Sequence, residues 1–239
     1  MAGLLFWDVE TSPVIAATWG LYDQNIPYQH VIQDWHIICA AWQWEGGEVK
    51  SISCKGTDDL NVVKKLHSLI SSADAIVAHN GDKFDYKKFM ARVLHHGLEP
   101  PRPCTMIDTL KMARNFAFTS RKLEDLGASL GIGRKIETER GLWVRAAQGD
   151  KRAIKALEAY CRGDIPPLVN LYYKLRPYVK TGYNQGLYSD EPCCPKCSGK
   201  NMIRQGTRKT VNGAYDRWQC KDCGSWAQTT PRVKKAFFK

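Results

Sequence analysis

Hydrophobic and polar positions recur with two different periods along the chain, and together they predict a mixed sheet flanked by helices. Short apolar or alternating stretches predict buried strands over residues 4–10, 36–44, 48–54 and 73–79, the middle two joined as a hairpin. Apolar residues at intervals of three or four predict helices over residues 60–70, 84–96, 108–116, 123–130, 150–162 and 168–175. The first helix is predicted to begin at a Thr57 cap, with Asp58 and Asp59 in the first turn, where the helix dipole favours anions. This order of elements predicts an α/β or α+β layer with a mixed sheet, and we expect the α/β class.

A polar stretch rich in proline and glycine, residues 177–192, interrupts this pattern. It predicts a domain over residues 1–180, a linker over residues 181–192, and a small module over residues 193–239 that ends in a basic tail.

Charge is unevenly divided between these parts. The chain of 239 residues has a net charge of +11, and residues 191–239 alone carry 11 basic and 3 acidic side chains, a balance of +8. A hydrophobic content of 44% argues against long disorder. We expect no membrane segment and no secretory leader, because no stretch of 18 apolar residues and no basic leader region occurs. Nine cysteines, an odd number, favour a reducing compartment and therefore a cytoplasmic protein.

Two acidic residues lie at the end of the first predicted strand. Asp8 and Glu10 are two positions apart, so their side chains point to the same face of the sheet. A divalent cation such as Mg²⁺ would relieve their repulsion, because it takes oxygen ligands from carboxylates. The alternative is that both carboxylates are simply solvated at the end of the strand. Asp8 and Glu10 alone do not decide between a metal site and solvated charges.

Three short motifs follow one another along the chain, and each combines an acidic residue with its neighbours. They are Asp-x-Glu at Asp8 and Glu10, Asn-x-x-x-Phe-Asp from Asn80 through Phe84 to Asp85, and Tyr-x-x-x-Asp from Tyr160 to Asp164. In order and spacing they resemble the DEDD superfamily of 3'-5' exonucleases, in its tyrosine subgroup. The stretch from Asp108 to Arg114 is similar to that family's Asp-Thr-Leu helix, so the resemblance spans residues 3–178.

The resemblance implies an RNase H-like fold and hydrolysis of phosphodiester bonds at a single-stranded 3' end with two Mg²⁺ or Mn²⁺ ions. On the family pattern, the four carboxylates hold the two ions, and Tyr160 orients or deprotonates the attacking water. The resemblance to polymerase proofreading domains implies DNA as the substrate and a polymerase, DNA repair or phage DNA metabolism as the setting. An RNA-processing exonuclease and a non-catalytic accessory protein of a polymerase or repair complex remain open, because the motifs do not distinguish between sugars.

Three further residues in or near these motifs are candidates for contact with the substrate. Thr11, Asn80 and Phe84 match places where the family contacts the terminal nucleotide, although each equally suits a cap or a core residue. Tyr160 has a half-buried core tyrosine as its alternative. Asp108 is expected to be structural.

Two prolines depart from the family pattern. Pro166 and Pro167 follow Asp164 closely, and a continuous helix there would lose two amide donors. We therefore expect a kink or break, with Asp164 as the cap of a new helix.

Two Cys-x-x-Cys pairs mark the C-terminal module. Cys194 and Cys197, then Cys220 and Cys223, are separated by 22 residues and suit a tetrahedral structural Zn²⁺ site of the zinc ribbon type. Cys193 could replace Cys194, and a redox pair is the alternative for either half.

Basic and aromatic residues alternate in the same module, which predicts contacts with single-stranded nucleic acid. They are Arg204, Arg208, Lys209, Tyr215, Arg217, Trp218, Lys221 and Trp226. The basic tail, residues 232–239, adds positive charge to this module. The alternatives are that it is a solvated tail or that it docks a protein partner through Phe237 and Phe238.

Overall fold

The computed structural model describes residues 3–133, 138–139, 141–180, 183–211 and 213–229. The chain divides into two compact units, Met1–Tyr172 and Tyr173–Lys239. The basic tail and its two phenylalanines lie outside the described residues.

A five-stranded mixed sheet forms the centre of the first unit. Its strands are β1 (Leu4–Thr11), β4 (Ile37–Trp44), β5 (Lys50–Ser53), β6 (Ala75–Ala78) and β7 (Thr105–Asp108), in the order β5-β4-β1-β6-β7. Strands β4 and β5 run antiparallel to their neighbours, whereas β1, β6 and β7 are parallel. A separate two-stranded sheet joins β2 (Ile15–Ala16) to β3 (Val31–Gln33). The predicted mixed sheet and hairpin are confirmed. The pattern of hydrophobic residues did not predict strands β2, β3 and β7.

Helices cover both faces of this sheet. They are α1 (Leu60–Ser72), α2 (Asp85–His95), α3 (Thr109–Ala113), α4 (Leu123–Ser129), α5 (Leu142–Ala147) and α6 (Lys151–Leu175). Alternate residues of β1 face opposite layers: the ring of Phe6 packs edge-on against Tyr172 of α6, and Trp7 packs edge-on against Phe89 of α2. Asp8, two positions after Phe6, therefore faces α6.

The predicted Thr57 cap of α1 is wrong. The carboxylate of Asp58 accepts the amide of Leu60 instead, at 2.9 Å. Asp59 is fully buried, and its carboxylate accepts bonds from the guanidinium of Arg92 (2.8 Å) and the amide of Ile37 (2.8 Å). The short local pattern did not show this, because Asp59 is held by residues that are distant in sequence.

The predicted break after Asp164 is also wrong, because α6 runs without interruption through Pro166 and Pro167. Ile165 and Leu168, on either side of the prolines, are buried in the first unit. Burial of such side chains contributes roughly 1.5–3 kcal/mol each, which is of the same order as the cost of about 3 kcal/mol for each proline. Asp164 consequently lies inside a continuous helix and does not cap a new one.

The second unit contains a three-stranded antiparallel sheet. Its strands are β8 (Met202–Thr210), β9 (Gly213–Cys220) and β10 (Trp226–Gln228), in the order β10-β9-β8. Strands β8 and β9 pair antiparallel over most of their length. Among the described helices of the chain, none combines the length and the apolar character needed to cross a bilayer.

Candidate active site

Three carboxylates meet where β1 faces α6. Ligand oxygens of Asp8, Glu10 and Asp164 all lie within 4.8 Å of one another. The two-residue period of β1 aims the first pair at α6, and α6 presents Asp164 from its buried face. This cluster of hard oxygen donors fits a divalent cation such as Mg²⁺ or Mn²⁺.

Asp85 lies beside this cluster but outside that set of ligand atoms. It is the first residue of α2, where the helix dipole favours an anion, and its carboxylate accepts the amide of Val9 at 3.3 Å. This bond ties the start of α2 to β1 between Asp8 and Glu10. Asp85, the carboxylate of the second motif, is therefore anchored next to Asp8 and Glu10.

The carboxylates raise one another's pKa values. The pKa of Asp8 is well above its ordinary value because of burial, and then because of the charges of Asp85, Glu10 and Asp164. Burial likewise raises the pKa of Asp85 to about 7, although the amide of Val9 opposes the change. A site that penalises its own negative charge in this way favours the binding of a cation.

The loop between β6 and α2 is held in an unusual conformation. Asn80 adopts a left-handed backbone conformation with φ of 64°, and its amide donates to the carboxylate of Asp108 at 2.9 Å. Asp108 also caps α3 by accepting the amides of Leu110 and Lys111, so its expected structural role is confirmed. A Cβ on Gly81 would lie 2.5 Å from that of Ala78, so only glycine fits this turn.

A cavity of about 520 Å³ opens beside the cluster. Asp8, Asn80 and Asp164 line it, together with Arg121 and Lys122 from the segment before α4. The two basic residues lie in the same cavity as the carboxylates and suit the phosphates of a bound strand. The sequence motifs did not indicate them, because they come from a loop without periodicity.

Tyr160 lies one helical turn before Asp164, as the spacing predicted. Its ring packs edge-on against Trp143 of α5, with ring centroids 5.7 Å apart. It lines a second cavity of about 480 Å³, which also contains Arg145 and Arg152.

Trp143 and Cys161 touch the motif carboxylates, and no motif pointed to either of them. The indole Nε1 of Trp143 donates to Oε2 of Glu10 at 2.9 Å, which holds that carboxylate in one orientation. The thiol of Cys161 lies 3.4 Å from Oδ2 of Asp8. Both are apolar residues on helical faces, where sequence alone indicates core packing.

The two remaining candidates for nucleotide contact occupy the borders of the site. Thr11 lies at the irregularity where the register of β1 with β4 shifts, and it is partly buried. The ring of Phe84 is 41% exposed at the start of α2, which leaves a surface for stacking.

Four cysteines of the second unit converge on one point. The sulfurs of Cys194, Cys197, Cys220 and Cys223 all lie within 4.8 Å of one another, and Cys193 is not part of the group. Two of the sulfur pairs are 3.7 Å apart, close to the edge of about 3.8 Å expected when four sulfurs surround Zn²⁺ at about 2.3 Å.

Burial raises the pKa values of Cys197 and Cys220, whereas for Cys223 hydrogen bonds from the hydroxyl and amide of Ser225 outweigh burial and lower the pKa to about 7. A low pKa supplies the thiolate that zinc requires. The cluster therefore fits a zinc ribbon, with one structural Zn²⁺ as the expected occupant.

Comparisons with known proteins agree with this architecture. A solved family B DNA polymerase from the hyperthermophilic archaeon Pyrobaculum calidifontis shares the fold, with a TM-score of 0.57 and 16% sequence identity. The similarity covers 73% of this chain and 24% of the polymerase, so the chain spans about a quarter of that protein. No curated protein matches the sequence.

The family described as the RNase_H superfamily matches residues 33–176, a segment that includes Asp85, Tyr160 and Asp164 and starts after Asp8 and Glu10. The predicted RNase H-like fold is confirmed. Because this match covers more than half of the sequence, the chain belongs to the RNase_H superfamily.

Proposed function

We propose that the protein is a metal-dependent 3'-5' exonuclease that removes nucleotides from the 3' end of single-stranded nucleic acid, with DNA as the preferred substrate. The observation that carries this proposal is the convergence of Asp8, Glu10 and Asp164 beside a cavity that also contains basic side chains. An acidic cluster binds no nucleic acid by itself, whereas an acidic cluster with bound cations and adjacent basic residues does.

The acidic residues and their neighbours would have different roles in the reaction. Two divalent cations held by Asp8, Glu10, Asp85 and Asp164 would neutralise the scissile phosphate and acidify the attacking water. Tyr160 would orient that water from the same face of α6 as Asp164. Trp143 keeps Glu10 in place through its indole N–H.

The substrate would be held by residues around the cavity. Arg121 and Lys122 would bind phosphates of the strand, and the exposed ring of Phe84 would stack on the terminal base. Thr11 and Asn80 would contact the terminal nucleotide. The DNA preference is supported by the fold shared with a DNA polymerase.

Labelled oligonucleotides test the reaction. With Mg²⁺ or Mn²⁺, a 5'-labelled single strand should be shortened stepwise from its 3' end, and Asp8→Ala and Asp164→Ala should each abolish this shortening. Asp82→Asn is the control, because Asp82 lies in the loop between β6 and α2, close in sequence to Asp85, but forms an ion pair with Lys111. Activity that survives both alanine variants, or digestion from the 5' end, would refute the proposed site.

Parallel reactions with DNA, RNA and a chimera distinguish the remaining alternatives. Faster digestion of RNA would favour an RNA-processing exonuclease. An absence of Mn²⁺ binding to the zinc-loaded chain in calorimetry would favour a non-catalytic accessory protein of a polymerase or repair complex.

A further inference from the structure

The sheet of the second unit has two different faces. Residues directly opposite each other on antiparallel strands point to the same side, and Arg204, Trp218 and Ala227 form one such row. Asp216, two positions from Trp218, shares this side and is 6% exposed. We call this side the packed face.

The other side, which we call the open face, presents residues of all three strands. It is formed by Ile203, Arg208, Tyr215, Arg217, Trp226 and Gln228. Trp226 is 53% exposed and Ile203 is 43% exposed, which is unusual for large apolar side chains on a sheet. The open face therefore combines accessible apolar surface with positive charge.

Charge pairing separates the two faces. On the packed face, the guanidinium of Arg204 lies 2.8 Å from the carboxylate of Asp216 and is neutralised by it. On the open face, the guanidinium of Arg217 lies 5.6 Å from the ring centroid of Trp226, and Arg208 is directly opposite Tyr215. Among the described residues of these three strands, the acidic side chain belongs to the packed face. The two arginines of the open face therefore lie beside aromatic rings, and no carboxylate of the described strand residues shares their side.

A cavity of about 460 Å³ continues the open face at Trp226. Lys180 and Lys196 line it together with Trp226 and Tyr178. The ammonium of Lys196 donates to the carbonyl of Val179. Two further cationic groups therefore flank the same exposed indole.

We propose that the open face binds single-stranded nucleic acid, with Trp226 and Tyr215 stacking on bases and Arg208 and Arg217 contacting phosphates. Aromatic rings alternate with cations at the spacing of a sheet, which suits a strand whose bases are unpaired. In a duplex the bases are already stacked on one another, so no base face is free to stack on the aromatic rings of the protein. Three residues that the sequence indicated for this surface, Arg204, Lys209 and Trp218, belong to the packed face instead and are not part of the proposed binding surface.

Binding titrations of the full, zinc-loaded chain test this surface. Fluorescent oligothymidylate, oligouridylate and a duplex of matched length serve as probes, in buffer without added Mg²⁺ or Mn²⁺, so that binding is measured apart from cleavage. Zinc content, one ion per chain, verifies that each variant is folded. The DNA and RNA probes show which single strand the face prefers.

Trp226→Ala should weaken single-strand binding by about 5- to 150-fold, with little effect on the duplex. Trp226→Phe should retain most of the affinity, because a ring remains. Combined Arg208→Ala and Arg217→Ala should reduce the slope of log affinity against log salt by about 1.4, which is about 0.7 for each lost phosphate contact.

Lys209→Ala is the matched control, because Lys209 neighbours Arg208 on the same strand but belongs to the packed face. It should leave affinity and salt slope close to those of the wild type. The proposal is overturned if Lys209→Ala is as harmful as Arg217→Ala, if Trp226→Ala binds normally, or if neither single strand binds. None of these results bears on cleavage at the carboxylate cluster, which is scored separately with short substrates.

Discussion

Asp85→Asn should stabilise the metal-free protein at alkaline pH, although it removes a proposed metal ligand. Asp85 is buried, and its carboxylate is close to other negative charges, so the folded state penalises the ionised form. Asparagine is neutral and nearly the same size, and its carbonyl oxygen can still accept the amide of Val9. The substitution therefore removes a buried charge without removing this hydrogen bond.

The pKa of Asp85 determines the size of the effect. Its pKa is raised from 3.8 to about 7, and each pH unit corresponds to about 1.4 kcal/mol, so the ionised carboxylate costs about 4 kcal/mol as an upper limit. Between about pH 4 and pH 7 the unfolded chain binds fewer protons than the folded protein at this residue. The wild type therefore loses stability as the pH rises through this window, and the loss is complete above about pH 7.

Urea unfolding followed by circular dichroism at several pH values measures this difference, because the α-helices of the structure lie between residues 60 and 175. The stability gain of Asp85→Asn should increase by about 2–3 kcal/mol from pH 5 to pH 8.5. Asp82→Asn is the control and should show no such increase. Added Mg²⁺ should reduce the gain at pH 8.5, because bound cations would stabilise the wild type.

A gain that is the same at pH 5 and pH 8.5 would refute the reasoning, as would a variant that is destabilised at both. The first result would mean that Asp85 ionises in the folded protein as readily as in water, and the second that asparagine does not replace the carboxylate in its hydrogen bond.

Four further outcomes follow from particular contacts. Asp59→Asn should lower the unfolding free energy by about 3–5 kcal/mol, because it leaves the buried guanidinium of Arg92 without its anion, whereas Glu191→Gln at an exposed pair should cost less than about 1 kcal/mol. Hydrogen bonds hold the pKa of Asp59 down despite its burial, so the Asp59 contribution should be present above about pH 4 and lost in acid, as measured by urea unfolding from pH 7 to pH 3. Trp143→Phe should weaken Mn²⁺ binding in calorimetry and lower kcat while thermal stability is kept, because the ring remains and the N–H is lost; unchanged Mn²⁺ binding would contradict a positioning role. Lys122→Ala should raise KM with little change in kcat, and an effect on kcat alone would argue against a phosphate contact.

Short-range periodicity predicted the parts of the site that lie within one element. Asp8 and Glu10 share a face because side chains alternate along β1, and Tyr160 and Asp164 share a face because four residues complete one turn of α6. The spacing of the cysteines likewise anticipated the sulfur cluster. These relations need no knowledge of distant residues.

Relations between elements could not be obtained in this way. Asp59 satisfies the dipole pattern of a helix start, yet its partner Arg92 is 33 residues away and removes it from solvent. Pro166 and Pro167 carry a strong local signal for a break, which packing on either side of them overrides.

The sequence by itself determined most of the strands and helices of the central sheet and its layers, the identity of the carboxylates and cysteines, and the excess of positive charge in residues 191–239. Tertiary structure alone decided that Trp143 holds Glu10, that Arg121 and Lys122 share a cavity with the carboxylates, and that the charges near the C-terminus divide between two faces of one sheet. The physical reason is the range of the forces involved. Backbone geometry sets periodicity over a few residues, whereas burial and charge pairing act between residues that only folding brings together.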